Sequence, residues 1–452
     1  MHSLDVRQRR ISNLHVLVVT AGISAATSAV AAPAPDVLVF GGTLSLLTVA
    51  EHLDLDKGSP LNPSNENIQA PHDLLTTELR PNIKITAKNV QLIARPRVHY
   101  TYGLVQVDQH ERDASSATTS YLSEAFGQWT VSESLSFSYG LQSYQWGSAE
   151  SLSPSNRIFH ETAVQRNILY EVRGHNLARL NFSAGKSFST VVMAEVKDNP
   201  EDKTTFVADE VWQPKVLIKS EYNWNEGADY FGIVAGAYQH GLPWVGEYFS
   251  SGLPFFDGLS VFADISHQWG SDAWYPEANT VATRLGPQQQ TTFVQAFQNS
   301  RKTFTLAAAG LKYDFINGVI IRGEYIFNEA GYTRQQFQAA TAAVASRNPL
   351  QLAVLGDNVR RFLGSGLDLP GQRYGYISLH VPDFLTIRDL MFDARTFYAL
   401  ADHSSLSYAS LDYKAGDHGT VSLASAGSTG PKDGELRGYA KSVEYLSYRH
   451  DW

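Results

Sequence analysis

The chain has 452 residues, a net charge of −9, no cysteine and 12% aromatic residues. Acidic residues outnumber basic ones, whereas nucleic-acid-binding proteins usually carry an excess of positive charge, so we expect no nucleic-acid partner. The lack of cysteine excludes disulfide scaffolds, thiolate metal sites and cysteine nucleophiles.

The N-terminus has the pattern of a secretory signal peptide. Three arginines precede a short, mostly apolar stretch at residues 14–23, and Ala29-Val30-Ala31 supplies small residues before a cleavage site. We therefore predict a signal peptide over residues 1–31 and a mature chain that begins at Ala32. No apolar run of about 18 residues follows, so the sequence predicts no membrane-spanning helix.

Alternation of apolar and polar residues fills the rest of the chain and predicts β-strands. From residue 90 to 102 the even positions are mostly apolar, and the odd positions include two arginines and a histidine. Segments 307–315 and 321–327 alternate in the same way around Asn317-Gly318, a pair that supplies the positive φ angles of a tight hairpin. Similar strands are predicted at 215–224, 259–269 and 389–400.

Three features distinguish these segments from the strands of a soluble β-sandwich. Their apolar faces tend to end in Tyr or Trp, as side chains at a bilayer interface do. They run for about 9 to 13 residues, the length that a tilted strand needs to cross a membrane, and strands of globular proteins average about 5 or 6. The chain also ends inside such a segment, at Trp452.

These features predict the fold class. An unpaired backbone group inside a membrane costs several kcal/mol, so strands cross it only as a closed barrel. We count about 18 candidate strands and predict about 16 or 18, because such barrels have an even number. The prediction is an all-β chain, a transmembrane antiparallel β-barrel over residues 32–452 with long extracellular loops and a water-filled lumen.

The signal peptide, the repeated amphipathic strands and the terminal segment resemble those of bacterial outer-membrane β-barrels. The resemblance implies that the barrel-assembly machinery reads the last strand, with Tyr448 and Trp452 as the assembly signal. His450 departs from the aromatic residue usual at the third position from the end. Residues 79–97 and 144–156 resemble patterns of porin-like and, more weakly, alginate-export-like families.

The long connections are where we expect solute selectivity to be set. The stretch 328–372 is too long for an ordinary turn, and residues 334–346 within it are rich in Ala and Gln, which favours a helix. Folding into the pore would make this segment a constriction, and packing on the barrel rim is the alternative. Other long loops are predicted at 146–161, 241–257 and 270–302.

Charged side chains opposite the apolar faces are the candidate pore-lining residues. If the apolar faces meet lipid, the period of two sends these charges into the lumen, where they would set selectivity. The alternative is that most of them pair across strands as a solvated wall. The candidates are Arg95, Arg97, Lys215, Lys219, Glu221, Arg322, Glu324, Asp389, Asp393 and Arg395.

The sequence thus predicts a porin-like channel in a Gram-negative outer membrane for passive diffusion of small polar or anionic solutes. Alternatives are a specific exporter or importer of polysaccharide or hydrophobic compounds, and a secreted soluble β-rich binding protein or hydrolase. Motifs of serine hydrolases, zinc sites and nucleotide sites are missing, so we expect no enzyme, cofactor or metal. The expected surroundings are outer-membrane lipid and lipopolysaccharide, and monomer and trimer remain open.

Overall fold

The computed structural model describes residues 38–452 except 67, 108–109, 160–162, 164–166, 198–213, 239–242, 285, 299, 347 and 439. The predicted signal peptide lies outside the described residues. Among the described helices, none is long and apolar enough to cross a membrane.

Strands dominate the described part of the chain, with three short α-helices in one connection. The helices are α1 (Arg334–Ala345), α2 (Pro349–Leu352) and α3 (Leu355–Leu363). The strands are β1 (Val39–Leu55), β2 (Pro71–Ala87), β3 (Val90–Val107), β4 (His110–Ser132), β5 (Leu135–Gln142), β6 (His175–Ala184), β7 (Phe188–Lys197), β8 (Lys215–Trp224), β9 (Asp229–Tyr238), β10 (Trp244–Gly252), β11 (Leu259–Trp269), β12 (Tyr275–Thr283), β13 (Gly286–Val294), β14 (Thr303–Asp314), β15 (Ile320–Asn328), β16 (Arg373–Val381), β17 (Leu390–Ala399), β18 (Ser405–Ala415), β19 (Gly419–Thr429) and β20 (Ala440–Asp451).

Eighteen of these strands form one closed antiparallel barrel, and β12 and β13 form a separate hairpin. Neighbours in the sequence are neighbours in the ring, except that β11 pairs with β14 and that β1 closes the ring by pairing with β20. Closure pairs the backbone of every strand on both sides, which removes free sheet edges. The predicted all-β barrel and the larger of the two predicted strand numbers are therefore confirmed.

The two ends of the barrel differ in the length of their connections. Successive antiparallel strands place alternate connections at opposite ends, and every connection longer than eight residues falls at the end opposite the chain terminus. The short-turn end, which carries the chain terminus, has connections of two to eight residues, from 88–89 to 382–389. The long-connection end includes residues 143–174, 270–302 and 329–372. Transmembrane β-barrels show the same asymmetry, with short periplasmic turns and longer extracellular loops.

The two faces of the strands differ in chemistry, as the alternation predicts. On β15 the outer-face side chain of Tyr325 is half exposed, and the adjacent inner-face side chain of Glu324 is buried. Leu311 and Tyr313 of β14 are exposed on the same outer face. An apolar outer face around a partly polar inner face is the arrangement expected of a barrel surrounded by lipid.

The turn between β14 and β15 lies at the predicted Asn317-Gly318 pair and is a three-residue loop. The backbone N–H of Phe315 donates to the carbonyl of Val319 at 2.8 Å. Within the Asn317-Gly318 pair only Gly318 has a positive φ, of 81°. A three-residue loop that ends in a left-handed residue is the next most common hairpin after the two-residue forms. The predicted position of the turn is confirmed, and one of the two predicted positive φ angles is present.

Replacing Gly318 by alanine should destabilise this hairpin. The left-handed backbone disfavours a Cβ, which would also lie 3.0 Å from Cγ of Pro382. We expect the free energy of unfolding to fall by about 1–2 kcal/mol, measured by urea titration of detergent-solubilised protein. Gly323→Ala in β15 is the control, because its Cβ would meet nothing within 4 Å. Equal losses in both variants would contradict this account of the turn.

Candidate functional site

The described residues of the connection 143–174, which leave out 160–162 and 164–166, lie in the interior of the barrel; we call this segment the lumen connection. Its Ser151 contacts Glu324 on β15, and its Glu171 contacts Arg97 on β3. These two strands lie on nearly opposite sides of the ring. A segment that reaches the inner faces of both strands must pass through the lumen, so it narrows the space available to a solute.

Glu324 anchors the first half of the lumen connection to the wall. Its carboxylate accepts hydrogen bonds from the backbone N–H groups of Glu150 at 2.7 Å and of Ser151 at 3.1 Å. The hydroxyl of Ser151 donates to the same carboxylate. Charge-assisted hydrogen bonds to a buried carboxylate are among the stronger ones in proteins. The wall thereby satisfies backbone groups that the connection, which has no regular secondary structure here, cannot pair by itself.

Asp264 on β11 forms a second anchor of the same kind. The backbone N–H of Ser155 donates to its carboxylate at 2.7 Å, and the hydroxyl of Ser153 donates at 3.1 Å. The Asp264 residue is fully buried. Both anchors use wall carboxylates as acceptors, so the path of the lumen connection depends on negative charges placed on the inner face.

Arg97 on β3 holds the other end of the lumen connection. Its Nε donates to one carboxylate oxygen of Glu171 at 2.8 Å, and its Nη2 donates to the other at 2.5 Å. Its Nη1 donates to the carbonyl groups of Pro81 and Pro96. A guanidinium in this two-pronged geometry is well suited to fixing a carboxylate in position. The charge of Arg97 is therefore used within the protein.

Apolar side chains complete the attachment of the lumen connection. Trp146, Ile158 and Phe159 pack against inner-face residues of β6 to β10, among them Leu177 and Trp244. The connection also reaches the inner faces of β14 to β17 through an apolar cluster around Leu152 and Ile326. Where the connection covers it, the inner wall consequently combines the charged anchors with apolar side chains, and the apolar part departs from the charged inner face that the sequence predicts.

Nine of the ten candidate pore-lining residues lie in barrel strands, and Asp389 lies in the turn 382–389 at the short-turn end. There Asp389 has a positive φ of 64° and lies 3.5 Å from the guanidinium of Arg388. On β3, Arg95 forms an ion pair with Glu124. Its side chain keeps 42% of its surface exposed, whereas the side chain of Arg97 keeps 3%.

The candidates on β8 form one cluster. Nζ of Lys219 lies 2.9 Å from a carboxylate oxygen of Glu221, which also accepts a hydrogen bond from the Tyr248 hydroxyl at 2.5 Å. Nζ of Lys215 lies 3.8 Å from Glu195 on β7. These charges pair along and across strands, and the Lys219 side chain is buried.

The remaining candidates lie on β15 and β17. The guanidinium of Arg322 lies 3.4 Å from Glu150 of the lumen connection and 3.6 Å from Glu324. On β17, Asp393 contacts His380 at 2.7 Å. The guanidinium carbon of Arg395 lies 4.2 Å from the centre of the Tyr408 ring. The structure brings Arg322 and Glu324 together at the lumen connection and places the β17 pair farther along the wall.

Sequence reasoning missed three carboxylates that hold the lumen connection. Asp264 stands on the polar face predicted for segment 259–269, but nothing in the local pattern separates an anchor from a solvated residue. Glu150 and Glu171 lie in the connection itself, where the strand period gives no guide to orientation. Only their proximity to Arg322 and Arg97 in the folded chain reveals their role.

The helix predicted within 328–372 is present as α1, in a connection at the long-connection end. It contacts α3 and the β12–β13 hairpin, and Arg334 at its start donates to Asp402 at 3.0 Å and to Asp433 at 2.8 Å. Nearby, burial raises the pKa of Glu435 to about 7, against the lowering effect of the hydrogen bond from the Tyr374 hydroxyl. These contacts join α1 to other connections at the long-connection end.

The two predicted assembly residues lie at the end of the last strand. Tyr448 and Trp452 are exposed on the outer face at the short-turn end. The backbone of Trp452 exchanges two hydrogen bonds with Leu44 of β1, at 2.9 and 3.3 Å. The terminal aromatic residue therefore stands at the seam where the barrel closes.

Comparison with solved structures finds outer-membrane porins of the same architecture. Acinetobacter baumannii OccAB1 aligns with a TM-score of 0.55 at 12% identity, over 91% of this chain and 96% of that one. A BenF-like porin from Pseudomonas fluorescens Pf-5 gives 0.52 at 9%, over 91% and 99%. Pseudomonas aeruginosa OccK2 in complex with glucuronate gives 0.50 at 11%, over 91% and 97%. No protein-family model and no curated protein matches the sequence. The likeness shows that this chain has a porin-like barrel fold, as the sequence predicts.

Removing the Glu324 carboxylate should release the lumen connection. In Glu324→Ala the amides of Glu150 and Ser151 lose hydrogen bonds to a charged acceptor, each worth about 1.5–3 kcal/mol, so their hydrogen exchange should accelerate roughly tenfold or more. Glu324→Gln keeps an acceptor oxygen and should exchange at an intermediate rate. Asp393→Ala is the control, because it removes an inner-face carboxylate with no bond to the connection. Unchanged protection in Glu324→Ala would refute the anchor.

Proposed function

We propose that this chain is an outer-membrane channel through which small polar solutes, anionic ones among them, diffuse passively. The observation that carries the proposal is the lumen connection, which crosses a closed barrel and is anchored to opposite walls. A barrel of about 16–18 strands encloses an aqueous channel in known porins. A segment fixed across such a channel narrows it to a size that selects among solutes.

The outer surface supports a place in a membrane. Large apolar side chains such as Leu311, Ile377, Leu423 and Leu446 expose more than half of their surface on the outer face. Exposure of such an apolar belt to water costs free energy, whereas contact with lipid hydrocarbon does not. Together with the signal peptide predicted for residues 1–31, this surface favours the outer membrane of a Gram-negative bacterium, with phospholipid and lipopolysaccharide as neighbours.

The chemistry of the narrowed region favours polar solutes over apolar ones. Arg322 lies 3.4 Å from Glu150 of the lumen connection, whose side chain keeps 35% of its surface exposed, so charges of both signs line the same short stretch. Such a wall offers hydrogen-bond donors and acceptors to a solute that leaves part of its hydration shell behind. The OccK2 complex contains glucuronate, which makes small sugar acids a rational first probe for this chain.

Electrical recording from purified protein in planar bilayers tests the proposal. We expect discrete conductance steps, and a partial block when glucuronate is added to one side. Arg95→Gln removes an exposed lumen charge and should shift the reversal potential in a KCl gradient toward cation preference. Arg388→Gln is the matched control, because it removes the same charge from a turn outside the lumen. A folded protein without conductance would refute the channel, and equal shifts in both variants would refute the lumen placement of Arg95.

The outer face generates a separate prediction about stability. Leu311→Arg places a charge on the apolar belt and should lower the free energy of unfolding by about 2–4 kcal/mol if the residue lies near the bilayer midplane. Leu311→Met keeps an apolar side chain and serves as the control. Urea unfolding in lipid vesicles measures both variants. Equal stability of the arginine and methionine variants would show that this face does not meet lipid.

The end of β20 generates a prediction about assembly. Deleting Trp452 should lower the yield of folded barrel in the outer membrane, because we propose that the terminal aromatic residue is recognised by the barrel-assembly machinery. Refolding of the same variant from urea into detergent, where no machinery acts, should be nearly normal. Normal yield in cells would contradict the assembly role, and failure in both settings would indicate a structural role at the seam instead.

A further inference from the structure

Three neighbouring turns at the short-turn end expose large apolar side chains. They are residues 253–258, 315–319 and 382–389, which we call the apolar rim. Phe255 exposes 91% of its surface, Leu385 exposes 70%, and Ile316 is fully exposed. Side chains of this size protruding together from turns are unusual on a surface that meets only water.

The apolar rim is one continuous patch. The turns join β10 to β11, β14 to β15 and β16 to β17, which follow one another around the ring. The N–H of Asp314 donates to the carbonyl of Gly258 at 2.8 Å, and Gly318 lies against the ring of Pro382. The three turns therefore present their apolar side chains side by side.

The patch occupies one side of the barrel only. The other described short turns carry small or polar residues: Lys88-Asn89, Glu133-Ser134, Gly185-Lys186-Ser187, Asn225-Glu226-Gly227-Ala228 and Gly416-Asp417-His418. The apolar rim is thus a local feature and does not follow from the turn geometry of barrels in general.

Continuity with the outer belt indicates what covers the patch. On β14 the exposed outer-face residues Leu311 and Tyr313 lead directly to Phe315 and Ile316 in the turn. No polar band separates the belt from the rim along this edge. Arg388, with 92% of its side chain exposed, stands next to Ile387 in the third turn. A guanidinium beside apolar side chains suits the headgroup boundary of a phospholipid layer.

We propose that the apolar rim inserts into the periplasmic leaflet of the outer membrane, so that lipid contact extends below the strands on this side of the barrel. The inference rests on the proposed membrane location. It assigns the three turns a lipid partner, with Phe255, Ile316 and Leu385 in the acyl region and Arg388 at the phosphates. The opposite side of the short-turn end remains in water.

Single-cysteine labelling tests the insertion, because the chain has no cysteine of its own. A nitroxide label is attached to Phe255→Cys and to Leu385→Cys, and each labelled protein is reconstituted into phospholipid vesicles. Power-saturation spectroscopy then compares how often the nitroxide collides with oxygen, which is enriched in lipid, and with a nickel chelate, which stays in water. Lys186→Cys, on a polar turn, is the aqueous control. Leu311→Cys, on the outer belt, is the lipid control.

The proposal expects oxygen to dominate at positions 255, 385 and 311 and nickel to dominate at 186. Nickel dominance at 255 and 385 with oxygen dominance at 311 would overturn the insertion and leave the membrane location intact. Nickel dominance at 311 as well would overturn the membrane location itself. Protection of 255 and 385 from both reagents in native outer membranes, but not in vesicles, would assign the rim to a protein partner and overturn the lipid assignment.

Discussion

Closure of the hydrogen-bonded ring is the constraint on which the other features of this molecule depend. The seam between β1 and β20 pairs the two ends of the barrel over most of their length, so no strand keeps an unpaired edge. Once the ring is closed, each strand has one face toward the lumen and one toward the surroundings. The period of two, the apolar belt and the polar interior all follow from that geometry.

The lumen connection occupies part of the barrel interior and is held there by the wall. Its backbone has few partners of its own, and the wall supplies them through Glu324 and Asp264. Arg97 then fixes the far end through Glu171. The charges that hold the connection are therefore occupied within the protein, and the charges that remain more exposed, such as that of Arg95, are the ones available to a passing solute. Constriction and selectivity thus draw on different members of the same set of inner-face residues.

The inner wall also departs from a uniformly polar lining. Beneath the lumen connection, residues such as Leu177 and Trp244 face inward and are buried. A connection that stays inside the barrel needs apolar burial in addition to hydrogen bonds, because anchoring groups alone leave much of its surface in water. The turns of the short-turn end also differ in polarity. Three adjacent turns expose apolar residues, and the other described short turns carry small or polar residues.

The sequence by itself determined the closed barrel, most of its strands, their two faces and the helix α1, because strand and helix periods are local properties that neighbouring residues carry. It predicted loops at 241–257 and 270–302, where the structure has β10 and the β12–β13 hairpin. It located the turn at Asn317-Gly318, of which only Gly318 has the predicted positive φ. Only the tertiary structure decided that the described residues of 143–174 lie inside the barrel. That placement depends on contacts of Glu324 with Ser151 and of Asp264 with Ser155, two pairs that lie more than one hundred residues apart in the sequence. A loop that docks through such contacts has no periodic pattern of residues by which the sequence could predict it.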